Sequence, residues 1–254
     1  MSEFIKHNAT SFPDALVREA EGLQLLAGTL RAAGVEGPGA LQVPDVRRVT
    51  ESGLVTARID AAPATESKMT ALGEGLARMH GQVMADYGFE VDNLIGLSRQ
   101  KNTVMGDWGA FYLDYRLKPQ VAMIADACVR NEFESQLESH QVVLRDFLNV
   151  HCDHPSLLHG DLWAGNVLFD QERPWLIDPA VYRGDREADL AMTELFGGFS
   201  PVFYKAYDSV CPRTDVYNLK CPIYNLYHTL NHYNLFGNSY LGACRRNLQA
   251  LKRL

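Results

Sequence analysis

The sequence predicts an α+β fold, with a small sheet and one helix in the first 62 residues and a mainly helical body over residues 63–254. Three observations support this. Strand-like runs at residues 4–6, 41–49 and 54–59 fall early, and the next segment, 60–64 (DAAPA), reads as a linker. From Glu66 onward, apolar residues recur at the three- and four-residue spacing of buried helix faces. Late in the chain, Val167-Leu168-Phe169 and Trp175-Leu176-Ile177 flank the polar turn 171–174, which predicts a hairpin.

Taken in order, Phe4-Ile5-Lys6 reads as a strand end carrying one lysine, and Ser11-Phe12-Pro13-Asp14 as a helix start. Leu16, Ala20, Leu23, Ala27 and Leu30 form the apolar stripe of that helix, with Glu19 just off it. The glycine cluster 34–39 follows a helix and precedes a strand, the reverse of a phosphate-binding loop, so it is a connection. Met69, Leu72, Leu76 and Met79 give one helix face ending at His80, and Phe133, Leu137, Leu144 and Phe147 another before Asn149. Between them, residues 107–116 are dense in aromatics, which suits a core, although Trp108 is also a candidate for lining a substrate pocket. The charged segment 183–189 suits a helix N-terminus, where Asp189 is placed to hydrogen-bond the loop at 159–166. Residues 224–235 and 239–254 read as two packing helices.

Composition narrows the function. Hydrophobic content of 46% and charged content of 22% are ordinary for a globular protein, and a net charge of −7 argues against a nucleic-acid partner. No apolar run is long enough to span a bilayer, and MSEFIKHN lacks a signal-peptide core, so a cytoplasmic location is expected. The five scattered cysteines fit reduced thiols. His151-Cys152-Asp153-His154 reads as a polar loop, because closed zinc sites gather four ligands, and His228 and His232 lack the glutamate of H-E-x-x-H.

The chemistry concentrates in residues 157–199. His159-Gly160-Asp161-Leu162 with Asn166 has the spacing of the catalytic loop H-R-D-L-x-x-x-N, with glycine in place of arginine. Phosphoryl transfer needs a carboxylate to take the proton of the attacking hydroxyl, and oxygen ligands for magnesium on the phosphates. Asp161 fits the base, while Asn166 and the hairpin-end Asp178 fit the metal ligands. In that plan a strand lysine holds the α/β-phosphates and pairs with a helix glutamate, places that Lys6 and Glu19 can fill. Alternatively, both are solvated surface residues. By position, the backbone from Ala57 to Ile59 would receive an adenine.

HGDLWAGN, LIDPAVYRGDREADLAM and ELFGGF, with EAEGLQLL, VPDV, LGEGLARMHG, YGFEVDNLIG and WGAFYLDYRLKPQ upstream, closely resemble the fructosamine (ketosamine-3-) kinases, relatives of the aminoglycoside phosphotransferases. The resemblance runs from Phe4 to about Tyr207; its most specific marks are Trp163 and the run from Asp178-Pro179-Ala180 to Arg186-Glu187. It implies a two-lobed, protein-kinase-like fold using ATP and magnesium. It also implies transfer of the γ-phosphoryl to the 3-hydroxyl of a small-molecule or protein-bound ketosamine, whose phosphorylated form breaks down and frees the amine. Trp163, beside the base, would stack on the sugar.

The resemblance also carries a departure. The family pattern places two strands and a glycine-rich loop before the lysine strand, whereas Lys6 here stands at the start of the sequence. The expectations that follow are a truncated sheet lobe, weakened nucleotide handling, and an edge strand around Ile5 open to pairing in a homodimer. Two alternatives stay open: a kinase for another hydroxyl acceptor (aminoglycoside- or choline-like), and a pseudokinase that binds nucleotide or a partner.

Overall fold

The computed structural model of the chain describes residues 2–254. Strand β1 (Glu3–His7) leads into helix α1 (Ala15–Ala32), followed by β2 (Val46–Val49) and β3 (Gly53–Ala57). The three strands form an antiparallel sheet in the order β1-β3-β2, with Lys6 opposite Leu54 and Ile5 opposite Val55. Leu16, Ala20, Leu23, Leu26 and Leu30 of α1 are buried, and the expected stripe member Ala27 is partly buried beside them. Burial of each leucine stabilises the fold by roughly 1.5–3 kcal/mol.

The strand expected over residues 41–49 is shorter, because residues 41–45 leave the sheet. Gln42 bridges instead to Trp175: its N–H donates to the Pro174 carbonyl at 3.1 Å and its carbonyl accepts from the Leu176 N–H at 2.9 Å. This segment therefore ties the small sheet to the body of the protein.

The body begins with α2 (Glu66–His80), capped by the Thr65 side chain accepting from the Lys68 N–H. Four very short strands follow, β4 (Tyr87–Gly88), β5 (Asn93–Ile95), β6 (Ser98–Gln100) and β7 (Val104–Met105). Strands of two or three residues are too short for alternation to register in sequence, so these four were not expected, although the body is mainly helical as expected. Next come α3 (Trp108–Tyr112), a π-helical turn over Leu113–Leu117, α4 (Lys118–Ala122) and the long α5 (Ala127–Val150).

After α5 the chain forms β8 (Ser156–Leu158), the hairpin β9 (Val167–Phe169) and β10 (Pro174–Leu176), and β11 (Tyr182–Gly184). β11 enters a mixed-sequence sheet ordered β7-β4-β11-β8, and β5 pairs with β6 as a separate hairpin. Four helices complete the fold: α6 (Glu187–Leu195), α7 (Pro201–Val210), α8 (Tyr217–Phe236) and α9 (Leu241–Leu248). α8 starts at Tyr217, well before the expected 224, and carries Pro222 near its beginning. Among the described residues, no helix is long and apolar enough to cross a membrane.

Candidate active site

The hairpin β9–β10 and the loop before it present the candidate residues. Asp161 follows Gly160, whose φ of 82° places an added Cβ 2.1 Å from the Ala180 carbonyl oxygen. Only glycine fits that approach, which accounts for glycine where the kinase pattern has arginine. Asn166 donates from Nδ2 to the Asp161 carbonyl at 2.8 Å and to Asp161 Oδ2 at 3.2 Å. Burial pushes the Asp161 carboxyl up to about 7, with the charges of Asp189 and Asp178 adding and the Asn166 bond opposing.

The loop itself hangs on Asp189 at the start of α6. This buried carboxylate accepts from the backbone N–H groups of His159 (2.7 Å) and Gly160 (2.9 Å), and lies 3.2 Å from His80 Nε2. Burial opposes its charge, but the His80 bond and the other donors outweigh that and hold its pKa below the usual carboxylate range. His159 accepts the Asp161 N–H at Nδ1 (3.3 Å) and faces the Ile177 carbonyl with Nε2 (2.9 Å), so the proton belongs on Nε2. One imidazole thus links the Asp161 turn to the strand end that delivers Asp178.

Asp178 has φ 53°, the only non-glycine residue in the left-handed region among those described. Such strain persists where surrounding structure enforces it, and it clusters at functional sites. Here it turns the carboxylate toward the small sheet, where Asp178 Oδ1 lies 3.0 Å from Lys6 Nζ. Lys6 also donates to Glu19 Oε2 at 2.7 Å. Burial alone would depress the Lys6 pKa, but Glu19 and Asp178 outweigh it, and the shift is upward. Lys6, Glu19 and Asp178 therefore meet across the boundary between sheet and body.

Two cavities flank this meeting point. One, of about 340 Å³, is bounded by Phe4, Leu54, Ala57, Ile59, Leu168 and Ile177, with Lys6, Glu19 and Asp178 at its end. The other, of about 330 Å³, shares those three residues and adds Asp161, Trp163 and Asn166. The sequence-derived candidates Lys6, Glu19, Ala57, Ile59, Asp161, Trp163, Asn166 and Asp178 are thus gathered around one junction.

Trp108 is the exception: it belongs to the core and not to a substrate pocket. It is fully buried, packed among Tyr87, Phe111, Tyr112, Tyr182 and Tyr224, and donates its Nε1–H to the Tyr224 hydroxyl at 3.1 Å. It touches neither cavity because its ring is needed to fill the core beneath β11.

Several participants were not visible beforehand. Arg18, Asn8, Thr10, Asn93 and Leu97 line the second cavity. Asn93 donates to the Val181 carbonyl (2.8 Å) and Gln100 to the Ala180 carbonyl (3.0 Å), fixing the chain after Asp178 from the β5–β6 hairpin. Arg99 on the same hairpin makes a two-pronged pair with Asp14 (2.9 and 3.0 Å) at the start of α1, its guanidinium 4.6 Å over the Phe12 ring. The only advance signal was the DNLIG run, which has no chemistry of its own.

The donor set suits a small hard cation. Asn166 Oδ1 and Asp178 offer oxygen ligands at the junction, and magnesium takes one or two carboxylates plus substrate phosphates and waters. Among the described residues there is no cluster of three or more His, Cys, Asp or Glu that could hold a metal by itself.

The fructosamine kinase family model matches residues 2–253. A probable ketoamine kinase of Vibrio parahaemolyticus is 37% identical over 245 residues, 94% of this chain and 81% of that protein. The chloroplastic protein-ribulosamine 3-kinase of Arabidopsis thaliana is 36% identical over 251 residues, 94% of this chain and 72% of that one. The crystal structure of a candidate fructosamine-3-kinase from Thermobifida fusca superimposes with a TM-score of 0.83 at 29% identity, covering 99% of this chain and 86% of that one.

Proposed function

This chain belongs to the fructosamine kinase family and is a phosphotransferase with the protein-kinase-like fold; on that premise we propose that it transfers the γ-phosphoryl of ATP to the 3-hydroxyl of a ketosamine. One observation carries the reading: two cavities meet at Lys6 and Asp178, an apolar slot along Ala57 and Ile59 on one side and the Asp161–Trp163 pocket on the other. The slot suits an adenine, Lys6 the phosphates, and the pocket the sugar. The phosphorylated adduct then breaks down and frees the amine, a deglycation step.

In this reading Asp161 takes the proton as the sugar oxygen bonds to phosphorus and the bond from phosphorus to the ADP oxygen breaks. Asn166 holds Asp161 by its amide, and Asp189 holds the loop that carries both. Asn166 Oδ1 and Asp178 would hold magnesium, which when bound supplies charge neutralisation on the phosphates. Trp163 offers its ring face to the sugar. The acceptor side favours a ketosamine over an aminoglycoside. Trp163 in that pocket and Phe196 of the ELFGGF run against it are marks of the ketosamine-kinase pattern. The edge strand β1, with Phe4 and Ile5 about half exposed, remains our candidate surface for a homodimer; a monomer in sedimentation at high concentration would rule that out.

The test is ATP consumption with a ribulosamine, a fructosamine and an aminoglycoside in parallel. Turnover is expected on the ketosamines. Asp161→Asn should lower kcat by about 10²–10⁴ while nucleotide binding holds, and wild-type kcat/KM should climb with pH through a midpoint near 7 as Asp161 loses its proton. Equal turnover by Asp161→Asn would refute the assignment.

A further inference from the structure

The ELFGGF run has no part in the mechanism above, yet the structure places it beside the acceptor cavity. Trp163, which lines that cavity, meets Phe196 edge to face at 6.2 Å between ring centroids. Phe196 is followed by His232 (5.0 Å), and His232 by Phe236 (5.5 Å) and Tyr240 (5.1 Å). Three of these rings are open to solvent: Trp163 is 40%, Phe196 43% and Phe236 59% exposed. Contiguous exposed aromatic surface is uncommon on a folded chain and marks a place where something binds.

The arrangement is held in place from beneath. An added Cβ on Gly165 would lie 2.2 Å from Trp163 Cη2, so the indole rests directly on that backbone. Gly198, at φ 96°, would meet the Ala164 Cβ at 2.5 Å, so the Phe196 loop sits against the catalytic loop only because residue 198 has no side chain. His232 spends Nδ1 on the His228 carbonyl at 2.9 Å, and burial lowers its pKa, leaving a flat neutral ring in the row. Trp163 and the ring row are therefore fixed relative to Asp161.

A ketosamine carries its amine on C1, two carbons from the reacting C3, and Phe196 is a ring against Trp163, so a sugar stacked on Trp163 with its amine directed outward meets Phe196 first. We propose that Phe196, His232 and Phe236 form a subsite for an apolar or aromatic substituent on the acceptor's amine nitrogen. This rests on the ketosamine reading above and adds the chemical class of the amine. Flat rings bind such groups by stacking and apolar burial, without the charge that a hydrophilic substituent needs.

Two ribulosamines that differ only on nitrogen, one benzyl and one hydroxyethyl, test it. Wild-type kcat/KM should favour the benzyl compound about tenfold, the range of an aromatic contact. Phe196→Ala and Phe236→Ala should each shrink that ratio severalfold. A ratio unmoved in both variants, or no wild-type preference, overturns the proposal. A merely structural role would lower both rates together and leave the ratio intact. Calorimetric titration with the same two compounds in the absence of ATP separates the two readings. Preferential benzyl binding lost in Phe196→Ala, without turnover of either compound, would uphold the subsite and sink the proposed phosphorylation of ketosamines. Equal binding of both compounds would sink the subsite whatever the turnover.

Discussion

Asp189 and Lys6 each hold a candidate catalytic carboxylate, one from inside the body and one across its boundary with the small sheet. Asp189 is buried and accepts from two backbone N–H groups and from His80, so the Asp161 loop is set before any substrate arrives. Lys6 keeps a third of its side chain exposed and Asp178 nearly half, and their pair at 3.0 Å shares the ammonium with Glu19. Breaking a buried charge network costs about 3–5 kcal/mol, while exposed pairs contribute about 0–1 kcal/mol. The base side is thus rigid. The Lys6 side is more open, although Glu19 in it is largely buried, and in the proposed function its contacts exchange when phosphates enter.

Asp189→Asn should show the contrast most strongly. An amide presents one acceptor where the carboxylate served three donors. Thermal and urea unfolding should report a loss of roughly 3–5 kcal/mol, with kcat at least tenfold lower. If stability and turnover both survive, the base side is not fixed in the way described. Lys6→Met should do the reverse, cutting kcat/KM for ATP by more than about tenfold while unfolding free energy moves by about 1 kcal/mol or less. A large stability loss there would erase the distinction between the two sides.

The smallest effect is expected at the other tie across the boundary, between Arg99 and Asp14. Both side chains are about a third exposed, so Arg99→Ala should cost about 1 kcal/mol with a change of a few-fold in acceptor KM. In a double-mutant cycle with Asp14→Ala the losses should be non-additive, because the two residues act as one contact. Additive losses would show that each works through other neighbours.

Much of the site was legible because its parts are local. Asp161 and Asn166 are five apart on one turn, and Asp178 ends the strand that pairs with the one after Asn166, so spacing alone groups them. The α1 stripe was readable for the same reason, since a single helix sets its own periodicity. Trp108 went the other way. An aromatic run is equally compatible with pocket and core, and only the surrounding tyrosines and phenylalanine decide which. The strands β4 to β7 were not anticipated for want of length: β5 and β6 make a hairpin of three residues a side, β4 and β7 pair over two, and only β4 reaches a distant partner, β11.

Residue types and short-range spacing set out the candidate chemistry of this protein: a carboxylate, an amide and a second carboxylate on tight turns, and an α+β course around them. Whether Lys6 and Glu19 stand at that candidate site was undecided until the fold brought Lys6 within 3.0 Å of Asp178, a contact between residues far apart in the sequence. The same holds for Arg99 on Asp14 and the ring row beyond Trp163, whereas the bond from Asp189 to the loop was expected from sequence. Each depends on packing between segments distant in sequence, and local propensity carries no record of which distant surface a side chain will meet.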